Sequence, residues 1–127
     1  MTIKKTSGEK SHKIKEEDKE QRADLALDDI DHIAIPVTEA DLDKTVDYYL
    51  QNFNCQTLYR DESWAFLRFN NIKLAFVVPG QHPPHLAFIS ARAEEFGQLK
   101  THRDGTRSVY ISDPSENTIE IMAPLES

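Results

Sequence analysis

Two histidines and one glutamate stand inside three otherwise apolar, strand-like runs. His32 lies in Asp31-His32-Ile33-Ala34-Ile35-Pro36-Val37, His85 in Pro84-His85-Leu86-Ala87-Phe88-Ile89, and Glu120 in Asn117-Thr118-Ile119-Glu120-Ile121-Met122. Each polar residue is out of phase with the large aliphatics beside it, so in a strand the two kinds of side chain face opposite ways. A carboxylate between Ile119 and Ile121 either faces water or costs several kcal/mol unless it is paired. Two imidazoles and one carboxylate suit a divalent metal, above all iron(II), with coordination positions left open for chemistry. Manganese, nickel and zinc are the other candidates.

The elements that must position these residues follow from the pattern between them. Asp31 to Val37 reads as a strand. Thr38 can cap a helix, with acidic residues favourable in its first turn. Leu42, Val46, Tyr49, Leu50 and Phe53 recur at helical spacing, and Asn54 is the stop. Cys55 to Tyr59, Trp64 to Phe69 and Ile72 to Val78 are strands, the last two joined by a hairpin through Asn70-Asn71. Pro79 to Pro84 is a connector. The order then restarts: a strand from His85 to Ser90, a short helix from Ala91 to Lys100, a vestigial strand within Thr101 to Thr106, and strands from Arg107 to Ser112 and Thr118 to Ala123. The second half repeats the first in element order and is shorter.

The chain has 127 residues and a net charge of −7. That length fits one domain with a real core. Residues 1–27 carry nearly balanced Lys/Arg and Asp/Glu with few large apolar side chains, the composition of a solvated, disordered tail, with a specific docking arm as the alternative; a short helix around Glu16 to Leu27 is compatible with the composition. The acidic excess therefore lies in the body, which argues against a nucleic-acid partner. No apolar run is long enough to span a bilayer, and no secretory signal is evident. The single cysteine, Cys55, excludes an internal disulfide framework and fits a cytoplasmic protein.

The segments from Asp31 to Val37, Leu42 to Tyr49, His85 to Phe88, and Val109-Tyr110-Ile111-Ser112-Asp113-Pro114 through Asn117 to Ile121 resemble, in this order, those of the vicinal oxygen chelate superfamily. That group includes glyoxalase I, extradiol ring-cleaving dioxygenases, methylmalonyl-CoA epimerase, and fosfomycin and bleomycin resistance proteins. The resemblance covers residues 28–124. It implies an α+β fold of two βαβββ modules, 28–80 and 83–124, whose curled mixed sheet surrounds a metal cleft lined by His32, His85 and Glu120. It also implies a homodimer in which His32 of one subunit joins His85 and Glu120 of the other.

Two departures from the family pattern matter. Glyoxalase-type members carry a further ligand on the fourth strand of the first module, and Ala75 aligns with it here. The glycine of the usual Asp-Pro-x-Gly-Asn turn is Glu116, which costs energy if its φ is positive. A three-ligand set favours a ring-cleaving dioxygenase acting on a small substrate that chelates through two neighbouring oxygens. Lyase, isomerase or transferase chemistry of the glyoxalase, epimerase or fosfomycin-resistance type is the rival enzyme reading. A bleomycin-resistance-like protein that binds its ligand without chemistry is the non-enzymatic one. Tyr110 resembles the tyrosine near the metal in ring-cleaving members and is the candidate catalytic residue. His82 and His102 are candidate bases on loops, Arg68 and Lys73 candidate anion contacts, and Trp64, Phe66 and Phe76 candidate pocket walls.

Overall fold

The computed structural model describes residues 27–125. The expectations for the charged tail, disorder or a helix around Glu16 to Leu27, fall outside or almost wholly outside that range. The described residues divide into two compact units, one of Ile30–Ala87 and one built from Phe88 onward together with the residues up to Asp29.

In the first unit β1 (Asp29–Pro36) leads into a 3-10 turn (Glu39–Asp41) and helix α1 (Leu42–Asn52). The Thr38 side chain accepts a hydrogen bond from the Asp41 amide at 3.2 Å, the cap expected from the sequence. It starts the 3-10 turn, and the α-helix follows from Leu42. Strands β2 (Gln56–Arg60), β3 (Trp64–Arg68) and β4 (Lys73–Val77) come next. The strand order is β2-β3-β4-β1. β4 is antiparallel to β3 and parallel to β1, with His32 opposite Lys73 and Ala34 opposite Ala75.

Alternation along these strands separates two environments. Ala65, Leu67 and Phe76 are fully buried against Leu42 and Val46 of α1, with Ile35, Val37 and Leu74 packed around them. The helix thus covers one face and makes the hydrophobic core there. The other face holds Ala34, Ala75 and Val77 with Trp64 and Phe66 against them, and His32 shares its phase. Phe76 is therefore core, not pocket wall. Trp64 and Phe66 are the aromatics on the histidine's side.

β5 (His85–Ile89) begins in the first unit and ends in the second. The second unit continues with a 3-10 turn (Ala93–Phe96), β6 (Lys100–Thr101), β7 (Arg107–Ser112) and β8 (Thr118–Met122), the last three hydrogen-bonded in the order β8-β7-β6. The helix expected over Ala91 to Lys100 is reduced to that single turn. Gly97 ends it at φ 155°, and a Cβ there would stand 3.1 Å from Val109 Cγ2, so the chain needs glycine to pass close over β7. The short strand β6 is two residues long and begins at Lys100, so it overlaps the Thr101 to Thr106 stretch where a vestigial strand was expected only at Thr101. In the β7–β8 turn Glu116 takes φ 69°, the left-handed conformation that makes a side chain costly there.

Candidate functional site

β1 and β5 bring His32 and His85 together. Their Nε2 atoms are 3.2 Å apart, and the rings meet edge to face with centroids 5.3 Å apart. The other nitrogen of each ring is fixed by an acceptor. His32 Nδ1 is 2.8 Å from Asp31 Oδ2, and His85 Nδ1 is 2.9 Å from the Pro83 carbonyl. A carboxylate and a carbonyl only accept, so each Nδ1 carries the proton and donates it. In the neutral imidazoles both Nε2 lone pairs then face each other across 3.2 Å. That arrangement is repulsive unless a cation, a proton or a metal ion, sits against it.

The spacing fits a metal. Imidazole nitrogen binds zinc at about 2.0–2.1 Å, and two ligands at angles between tetrahedral and square lie roughly 2.8–3.4 Å apart. Asp31 stands where an imidazole that binds a metal commonly has an orienting carboxylate. Its carboxyl is held below the usual range, first by the hydrogen bond from His32 and then by Lys73, whose Nζ lies 3.0 Å from Oδ1, while burial works the other way. Phe66 packs edge-on against His32 at 5.2 Å, with the Lys73 ammonium 5.6 Å from its ring centre. Ala75 is buried in the same phase as His32 and has no donor atom, so this face of β4 supplies no further ligand.

The second unit carries the carboxylate. Glu120 on β8 is buried at 6 % exposure. Ser108 Oγ on β7 donates to Glu120 Oε2 at 2.8 Å, and His102 Nε2 lies 2.7 Å from Ser108 Oγ and 3.9 Å from Glu120 Oε2. Tyr110 is the register partner of Glu120 across β7 and β8. Its phenol is pushed up to about 12, chiefly by desolvation and then by the Glu120 charge and a hydrogen bond to that carboxylate. It therefore stays protonated, and able to donate, well past neutral pH. An open pocket of about 670 Å³ is lined by Gln98, Lys100, Thr101, His102, Ser108, Val109 and Tyr110.

The remaining candidates divide. His102 reaches the carboxylate through Ser108. His82 sits in an exposed turn and donates its backbone amide to the Val78 carbonyl. Arg68 is exposed and binds Gln56 across the hairpin at 2.5 Å. Lys73 serves Asp31. His32 meets His85 of its own chain, so the expected exchange of His32 between subunits is not needed to form this pair. Asp31 and Ser108, which hydrogen-bond His32 and Glu120, were not singled out by the sequence pattern. An aspartate directly before a histidine in an apolar run was the available signal for the first. Nothing local marked the second.

No protein-family model matches the sequence, and no curated protein matches it. Solved structures do. A hypothetical protein, BH1468, from Bacillus halodurans C-125 aligns with a TM-score of 0.59 and 14% identity over 80% of this chain and 98% of that one. A glyoxalase/bleomycin resistance protein/dioxygenase superfamily member from Vibrio splendidus 12B01 gives 0.57 and 6% identity over 79% and 100%. Homoprotocatechuate 2,3-dioxygenase from Arthrobacter globiformis gives 0.58 and 19% identity over 77% of this chain and 36% of that one. The fold is the vicinal oxygen chelate fold. It is α+β with a mixed sheet, as the family resemblance implied. At these identities the likeness is one of fold, and fold does not carry function with it.

Proposed function

We propose that His32, His85 and Glu120 hold one divalent metal ion, iron(II) in preference to manganese, nickel or zinc, and that the protein is a ring-cleaving dioxygenase-like enzyme. The observation that carries the reading is the imidazole pair. Two rings, each locked by its own Nδ1 acceptor, turn their Nε2 atoms toward one point. The bound ion would supply Lewis acidity and a template for two neighbouring substrate oxygens together with dioxygen. With Ala75 in place of a fourth ligand, more positions remain for exchangeable groups than in a four-ligand glyoxalase site.

The chain's own residues supply the rest. Asp31 and the Pro83 carbonyl keep both imidazoles in the ligating tautomer. Phe66 and Trp64 put an apolar wall on the His32 side, which suits a planar aromatic substrate and excludes water. The Tyr110 phenol, protonated at working pH and hydrogen-bonded to Glu120, would turn its O–H from that carboxylate to oxygen charge as it develops.

The test is anaerobic purification, elemental analysis and oxygen uptake with a panel of catechols. Stoichiometric metal in the wild type, reduced by His32→Ala, His85→Ala and Glu120→Ala, supports the site. Oxygen uptake with a catechol supports the reaction. A protein that takes up no metal ends the metal reading. Metal without oxygen uptake, combined with turnover of a thiol adduct or an acyl-CoA by the nickel or zinc form, moves the assignment to lyase or isomerase chemistry. The homodimer belongs to the same reading, and sedimentation as a monomer at micromolar concentration removes it.

A further inference from the structure

Three side chains of the second unit form a hydrogen-bonded line with a definite direction. Ser108 Oγ has one proton, and Glu120 is buried with that hydroxyl 2.8 Å from Oε2. The hydroxyl donates to that carboxylate oxygen, so the serine proton points at Glu120. The serine oxygen is then left with acceptor capacity alone, and the group facing it, His102 Nε2 at 2.7 Å, must be the donor. Ser108 is itself 1 % exposed, so water has little access with which to replace either bond. Direct pairing is a poor alternative, because His102 Nε2 is 3.9 Å from Glu120 Oε2, beyond hydrogen-bond range. The buried serine is what connects them. The outer end of the line opens on the pocket, whose lining includes both His102 and Ser108.

We propose that Ser108 and His102 are positioning residues for Glu120. His102 Nε2–H donates to Ser108 Oγ, whose O–H donates to Glu120 Oε2, and the line holds the carboxylate in one orientation for the metal. The inference rests on the metal reading and deepens it: Glu120 is a prepared ligand, not simply a carboxylate within reach. Such outer partners typically change metal affinity by about 10–100-fold when removed. Without the serine the carboxylate keeps its Tyr110 hydrogen bond but loses the donor that fixes Oε2.

The experiment reads zinc affinity by competition with a chromophoric chelator, and the His102 tautomer by ¹⁵N–¹H long-range correlation spectra of the metal-free protein. Wild-type His102 should show the Nε2–H form. Ser108→Ala should weaken zinc binding at least tenfold and remove that tautomer preference, with the urea midpoint recorded as the folding control. His102→Ala should weaken binding by a smaller factor, and His102→Gln, which keeps an N–H donor, should recover most of it; a general loss of packing would show no such recovery. Wild-type zinc affinity in Ser108→Ala overturns the positioning role. An Nδ1–H wild-type His102 overturns the direction of the line. A wild type that binds no zinc ends the metal reading itself, and the positioning role with it. That result is distinct from failure of the serine, in which the wild type binds and the variant binds equally well.

Discussion

Asp31 offers the sharpest perturbation, because it acts on His32 without being a ligand. Its Oδ2 accepts from His32 Nδ1 at 2.8 Å, and its Oδ1 faces Lys73 at 3.0 Å. Asp31→Asn keeps an acceptor for Nδ1–H but loses the charge that makes the imidazole more basic, and it sets a neutral amide beside the ammonium. Asp31→Ala removes the acceptor as well and leaves the tautomer unspecified. Outer-shell losses of about 10–100-fold in metal affinity are typical. The asparagine belongs near the lower figure, about 1.4 kcal/mol, and the alanine near the upper, about 2.7 kcal/mol. Lys73→Met should leave affinity equal or slightly higher, since the cation competes with the metal for the same negative charge. Chelator competition with zinc measures all three, with urea unfolding as the control for the fold. If Asp31→Ala binds zinc within twofold of the wild type, the imidazole pair is not oriented by Asp31 and the reasoning fails. The depressed carboxyl also makes a stability prediction for the metal-free protein. Stability from the Asp31–His32 contact is fully present above the ordinary value of 3.8 and disappears as pH falls through the lowered one. Asp31→Asn should therefore flatten the acid limb of the stability curve.

Three further outcomes are expected. Leu67→Ala empties a fully buried position against α1 and should cost about 2–5 kcal/mol in urea unfolding; a loss under about 1 kcal/mol would mean that this face is not the core. Spectrophotometric titration of the wild type should show a tyrosine step near pH 12 that Tyr110→Phe removes, and Tyr110→Phe should slow catechol turnover more than it weakens catechol binding. Glu116→Gly should raise stability by roughly 0.5–1 kcal/mol, because glycine takes φ 69° without the Cβ penalty that glutamate bears; an unchanged or lower urea midpoint would show that the Glu116 side chain repays its strain.

What the sequence determined by itself was local and periodic. Alternation put His32 on the face opposite Ile33 and Ile35. The helical spacing of Leu42 and Val46 marked the face of α1 that meets the core, and both are buried there. A glutamate at position 116 announced a strained turn, and φ 69° confirms it. These succeed because side-chain direction within a strand or helix follows from residue spacing alone. Gly97 was also visible in the chain, but its effect was not. The Ala91 to Lys100 segment looks helical until β7 is beside it and Val109 takes the space a Cβ would need.

Only tertiary structure decided the partners. Pro83 offers a carbonyl to His85, Ser108 bridges His102 to Glu120 twelve residues along the chain, and Lys73 meets Asp31 through the parallel register of β1 and β4. Nothing in residue type distinguishes Ser108 from any other strand serine, or Lys73 from a solvated lysine. Hydrogen-bond partnership depends on separations of about 3 Å, and between strands those are set by register, turn length and close packing, none of which a single segment contains. Donor chemistry was therefore readable residue by residue. The tautomers, the charge partners and the orientation that make those donors usable came from the fold.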